Sequence, residues 1–177
     1  MSKVGKKIIS LLLILAFFLP TLSLAANIYD LPTPRLDSSS SLYFLKIWWE
    51  KIQLFFAFLP SWKANLHLAF AENRLAEMNK LAERNIFSYN EQLKKNYNDH
   101  LAKVEEILQG EIEKGRKVEE LLEKFQDHLT RHEAILLRVL EKAPTEAKDA
   151  LRQALENSRR GQIKASEMIQ KLKEKIK

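Results

Sequence analysis

The chain has 177 residues, is 46% apolar and contains no cysteine, with 29 basic against 23 acidic side chains. That length allows one domain or two small ones around a packed core. The missing cysteines exclude disulfides, thiol catalysis, zinc–thiolate sites and acylation at a lipoprotein cysteine.

Residues 1–25 read as a signal peptide. Lys3, Lys6 and Lys7 give a basic start, Ile8 to Leu19 is an apolar run, and Ser23-Leu24-Ala25 supplies small residues for cleavage. The expected location is exported and extracytoplasmic, secreted or at the cell surface. An uncleaved membrane anchor is the alternative, since Ile8 to Ala26 carries no charge. Without the three lysines, 29 − 3 = 26 basic residues face 23 acidic ones, a net of +3 instead of +6. No nucleic-acid partner is expected from that balance. Residues 26–41, with Pro32, Pro34 and serines at 38–41, read as a flexible tether whose serines can cap the next helix.

From there the pattern is helical. No proline occurs between Ser61 and Ala143, and Gly110 and Gly115 are the glycines of that span. The first helix runs from Leu42 to about Phe58, ahead of Pro60. Lys46, Glu50, Gln53 and Ala57 form a narrow polar stripe on it, opposite Leu45, Trp48, Ile52, Phe55 and Leu59, and Trp49 and Phe56 widen the apolar side. A second helix starts near Ser61, its expected N-cap, and carries Leu68, Ala71, Leu75, Met78 and Ala82 beside Leu66 and Phe70. It breaks at Asn85 to Ser88, where Ser88 and Glu91 have the spacing of a capping box.

Leu93, Tyr97, Leu101, Val104, Leu108 and Ile112 keep one face of the next segment. Val118, Leu122, Phe125, Leu129, His132, Leu136 and Val139 repeat that seam after the glycines, at heptad-like spacing. One long helix through Gly110 and Gly115, or two helices meeting there, both fit. Pro144 ends the run. The last helix, Thr145 to Lys177, lines up Leu151, Ala154, Ser158, Ala165, Ile169, Leu172 and Ile176, and ends in Lys171, Lys173, Lys175 and Lys177. The expected fold is all-α: an extended bundle of four or five helices with long antiparallel helical hairpins. It divides into an N-terminal module over 42–109 and a C-terminal hairpin over 110–177, packed on it or continuing from it.

The N-terminal half resembles the family catalogued as domain of unknown function 5667. The residues that carry the resemblance are Tyr43-Phe44-Leu45-Lys46, Trp49 to Leu54, Phe58, Pro60, Lys63 to Leu68, and Ala71 to Glu77. It extends over about Ser41 to Leu108. Leu59 stands where members often have an acidic residue, which weakens the cap of the second helix. His132 to Val139, Pro144 and Ser158-Arg159-Arg160-Gly161 resemble what often follows this domain in its relatives. The resemblance implies an exported helical module and no known reaction.

Three sets of residues are candidates for function. The aromatic face of the first helix (Tyr43, Phe44, Trp48, Trp49, Ile52, Phe55 and Phe56) is expected to form the main core, with Trp48, Ile52 and Phe55 as its largest contacts. Lying on a membrane surface is the other reading. Spanning a bilayer is disfavoured, because Lys46, Glu50 and Lys51 fall mid-segment and each costs about 2.5–3.5 kcal/mol there. Lys46, Glu50 and Lys51 with Glu72, Arg74 and Glu77 can clamp the first two helices together by charge. Ordinary ion pairs along a helix surface are the plainer account. His128 and His132, four apart, have chelating spacing, but sequence places no third ligand beside them, and a packing histidine with a solvated neighbour is expected instead.

No catalytic constellation, cofactor site or small-molecule substrate is legible. The expected role is a non-catalytic module for protein interaction or scaffolding in the cell envelope. Its partner would be another protein or a second copy, with peripheral membrane contact as an addition. An envelope stress protein of chaperone-like or metal-buffering type is the alternative.

Overall fold

A computed structural model describes residues 32 and 34–176, with side chains through Glu174. The expected signal peptide and residues 26–31 and 33 of the tether lie outside the described residues. Five helices follow: α1 Tyr43–Phe56, α2 Pro60–Glu83, α3 Asn90–Glu113, α4 Glu119–Lys142 and α5 Thr145–Ile176. No strand occurs among the described residues, and the chain from α2 onward is a helical bundle, as its composition and spacing predict.

The bundle is two antiparallel hairpins, α2–α3 and α4–α5, laid side by side so that α2 borders α4 and α3 borders α5. Cross-helix contacts fix the directions. Lys94 meets Gln153 and Lys164 meets Glu105, so α3 and α5 run parallel. Gln126 meets Ser166 and Glu133 meets Arg159, so α4 and α5 run antiparallel. The heptad seams do what their spacing predicts. Leu93, Tyr97, Leu101, Val104 and Leu108 are buried on α3, and Leu122, Phe125, Leu129, His132, Leu136 and Val139 are buried on α4. Each large side chain so enclosed contributes about 1.5–3 kcal/mol.

The α2–α3 turn and the α3–α4 connection each close on a left-handed residue. At Asn85, φ is 57°, its N–H reaches Ala82 O and the Ile86 N–H reaches Leu81 O. At Gly115, φ is 70°, and the same two bonds go to Ile112 O and Glu111 O. This pairing satisfies carbonyls that a helix end otherwise leaves bare. The helix therefore does not run through the glycine region. It passes Gly110 and stops at Glu113, and the glycine that matters is the one that must adopt positive φ.

The expected serine caps are not formed. Leu42, Leu59 and Tyr89 hold the N-cap positions of α1, α2 and α3, none with a side-chain cap bond. Pro60 takes the first turn of α2, where its missing N–H costs nothing, so Ser61 falls inside the helix. Ser88 lies two residues ahead of α3, outside capping reach. Of the tether serines, Ser40 accepts the Leu42 N–H at 3.3 Å.

The larger correction concerns α1. It was expected to bury Trp48, Ile52 and Phe55 as the main core. Instead Trp48 is 62% and Phe55 75% exposed, and Phe44 and Phe56 are exposed as well, while Ile52 and Trp49 are half-buried. Among the described helices α1 lies on α2 alone, and its buried residues are Tyr43 and Glu50. The reason is what α2 offers. Its apolar rows are already covered by α3 and α4, and the side left for α1 carries buried charge.

Small residues let α4 and α5 approach closely. A Cβ added at Gly161 would stand 2.9 Å from Leu129 Cδ1, while one at Gly110 meets nothing within 4 Å. Gly161→Leu should therefore destabilise the fold by about 1–3 kcal/mol through overpacking. Gly110→Ala should stabilise it by about 0.5–1 kcal/mol through helix propensity. Urea unfolding of the two variants checks the opposite signs.

Candidate functional site

Two polar clusters stand out. The first joins α1 to α2. Arg74 is fully buried on α2. One terminal nitrogen (Nη2) donates to both carboxylate oxygens of Glu50, and the other (Nη1) donates to the Tyr43 hydroxyl and to Glu77 Oε1, the last at 2.6 Å. Lys46 Nζ reaches the same Glu77 oxygen at 2.6 Å. Two cations and two carboxylates make a neutral quartet. Burial works against the Arg74 charge, but Glu50 and Glu77 outweigh it and hold the guanidinium above its ordinary pKa. Hydrogen bonds from a guanidinium to carboxylates are charge-assisted and stronger than those between neutral groups.

Sequence brings these groups together for a local reason. Tyr43, Lys46 and Glu50 are spaced three and four on α1, and Arg74 and Glu77 are three apart on α2, so each set lies on one helix face. Of the six residues expected in the clamp, Lys46, Glu50, Arg74 and Glu77 form it. Lys51 is exposed to solvent, and Glu72 faces α4 instead. Tyr43 belongs to the clamp, although its aromatic ring marked it as a core residue. A side bond extends the junction: Asp37 is buried, with Lys80 at 3.2 Å and Arg84 at 3.3 Å. Burial alone would raise the Asp37 pKa, but hydrogen bonds from Ser39 and Lys80 bring it below its ordinary value. The end of the expected tether is thus docked on α2.

The second cluster is histidine-rich. His67 on α2 and His100 on α3 meet through their Nδ1 atoms at 3.0 Å, and Phe70 packs on the His100 ring. Burial, then Lys103 and Lys63, lower the His67 pKa to about 4. Burial, then His67 and Arg74, lower that of His100 to about 3. On α4, His128 and His132 lie beside one another with ring centroids 5.9 Å apart. Glu72 Oε2 is 3.7 Å from His128 Nδ1. Burial first, and Arg131 second, lower the His128 pKa to about 4. No element of local spacing ties Glu72 to His128, since they lie on different helices, so sequence could not supply it.

Ser158-Arg159-Arg160-Gly161 serves packing. Ser158 Oγ donates to Leu129 O, Arg159 pairs with Glu133 at 2.7 Å, Arg160 bonds Asn157, and Gly161 admits Leu129.

The fold and its junction define a class: an all-α bundle that carries an additional amphipathic helix on a buried charge clamp. The family described as Domain of unknown function (DUF5667) matches residues 38–177. The chain belongs to that family, and the match runs past Leu108 through both hairpins. No curated protein matches, and no solved structure matches.

Arg74→Met leaves Glu50 and Glu77 without their main partner, and breaking one side of a buried pair costs about 3–5 kcal/mol. The expected result is a loss of that size in urea unfolding, with α1 cut first in limited proteolysis. The histidine pair yields a pH dependence with a definite sign. The folded state holds His67 and His100 neutral, so it binds fewer protons than the unfolded chain. Their stabilisation is complete above pH 6.5, the ordinary histidine value, and is lost as pH falls toward about 4. At pH 5.5 the unmodified chain should lose about 1 kcal/mol per histidine more than a His67→Leu, His100→Leu variant. Denaturation midpoints of the two chains at pH 7.5 and 5.5 measure the difference.

Proposed function

We propose that this protein is a non-catalytic, extracytoplasmic helical docking module that presents the aromatic face of α1 to another envelope protein. The observation that carries this reading is the exposure of that face. Phe44, Trp48, Phe55, Phe56, Phe58 and Trp62 are all exposed, Phe58 at 80%. Large apolar side chains left exposed in such number within one short stretch of a folded chain point to an interaction site, and tryptophan and phenylalanine are the side chains that protein interfaces favour.

The junction supports the same reading. The clamp holds α1 by its polar side, so the aromatic side is rigidly displayed and its ordering entropy is already spent before a partner arrives. A protein partner is favoured over a lipid surface by charge. On α1 and the first turn of α2 the exposed cations are Lys51 and Lys63, and each adds only about 1 kcal/mol toward anionic lipid. No helix among the described residues is long and apolar enough to cross a membrane. The extracytoplasmic location rests on the pattern of residues 1–25.

A photo-crosslinking phenylalanine analogue at position 58 of the full chain, in cells, tests the reading. Protein adducts of defined mass should form from the extracytoplasmic fraction. They should disappear with Trp48→Ser plus Phe55→Ser while circular dichroism stays unchanged. Adducts indifferent to those substitutions, adducts to lipid alone, or recovery of the chain only from the cytoplasm would each overturn it.

A further inference from the structure

The histidine pair on α4 gains in three dimensions the ligand that sequence did not place. Glu72, His128 and His132 each offer one ligand atom, and these atoms lie within 4.8 Å of one another. His132 Nδ1 lies 3.2 Å from the Tyr97 hydroxyl. His132 Nε2 is buried without a hydrogen-bond partner on a side chain that is fully enclosed. With the ring proton on Nδ1 and donated to the Tyr97 oxygen, Nε2 holds a lone pair. Orientation of a histidine through a hydrogen bond at its other nitrogen is how ligating imidazoles are held.

His128 is set in the complementary way. Arg131 donates to its Nδ1 at 3.0 Å, so that nitrogen also holds a lone pair. Arg131 stands 3.5 Å from Glu72 Oε1 as well. The guanidinium is therefore the positive charge now shared by two of the three ligand groups, and its side chain is 26% exposed. Of the other charges near His128, Asp127 and Lys124 oppose one another.

We propose that Glu72, His128 and His132 form a site for a zinc-class divalent cation, which takes the place of the Arg131 guanidinium. Two neutral imidazoles and one carboxylate are a donor set that zinc accepts, with water completing the four-coordinate shell. The ligand atoms must draw together by up to about 1.5 Å to reach tetrahedral spacing, a shift that falls on the half-buried Glu72 and His128 side chains. The site lies between α2 and α4, apart from the aromatic face of α1, and stands independently of the docking role.

Zinc chloride titrated into the full chain, followed by calorimetry, should show one saturable site per chain and a raised melting temperature. Cobalt(II) in its place should give the intense visible bands of a tetrahedral ion. Glu72→Gln and His128→Ala should each weaken binding by about 10–100-fold. Arg131→Ala should tighten it by about tenfold through removal of the competing charge. His67→Leu with His100→Leu should leave it unchanged. Glu72 and His128 are half-buried, so their variants should retain the fold, which circular dichroism verifies. Absence of stoichiometric binding in both the unmodified chain and the Arg131→Ala variant overturns the site. So does binding that survives Glu72→Gln and His128→Ala, or that is lost with the His67 and His100 pair.

Discussion

Arg74 is the constraint on which the arrangement of this protein turns. A guanidinium cannot shed its proton at any ordinary pH, and here it has no access to solvent. It must find carboxylates, and α2 supplies one in Glu77. The other comes from Glu50 on α1, so α1 is bound to α2 by the face that carries Glu50. Lys46 balances the second carboxylate, and Tyr43 takes a donor that would otherwise point at carbon. Once that face is committed, the opposite face of α1 has nowhere to go but outward. The exposed tryptophan and phenylalanine side chains are a consequence of the buried charge.

Hydrophobic burial alone would rank the two faces the other way. Several large aromatic side chains, each worth about 1.5–3 kcal/mol when enclosed, stay in contact with solvent. Turning α1 over would enclose some of them, but would take Glu50, Lys46 and the Tyr43 hydroxyl away from Arg74 and Glu77, and breaking a buried charge pair by removing one partner costs about 3–5 kcal/mol. The bundle has no vacancy for the aromatic face in any case. The two hairpins close on each other through Leu75, Leu93, Phe125 and Leu136, all buried in one core. Helix α1 is an addition to a finished bundle.

The histidines follow a related logic inside the bundle. All four lie at helix contacts and are held neutral by burial, in two pairs. His67 and His100 satisfy each other across α2 and α3. His128 and His132 share one face of α4, and their partners are Arg131, Tyr97 and Glu72. The first pair is closed upon itself. The second keeps a buried ring nitrogen, His132 Nε2, without a hydrogen-bond partner, and that difference in completeness separates the two pairs.

What sequence determined by itself was whatever depends on residues within about one helical turn of each other. The seam from Leu93 to Leu108 and that from Val118 to Val139 were legible, because three-and-four spacing makes a face whatever lies opposite. So were the breaks at Asn85 and Pro144, and the family, whereas the clamp of Lys46 and Glu50 with Arg74 and Glu77 stood in sequence only beside ordinary surface ion pairs. The side of α1 that turns inward, the loss of the expected core at Trp48 and Phe55, the docking of Asp37, and the meeting of Glu72 with His128 were decided by the tertiary structure. Each depends on groups brought together from separate helices, and on which demand, a buried charge or an apolar face, is costlier to leave unmet.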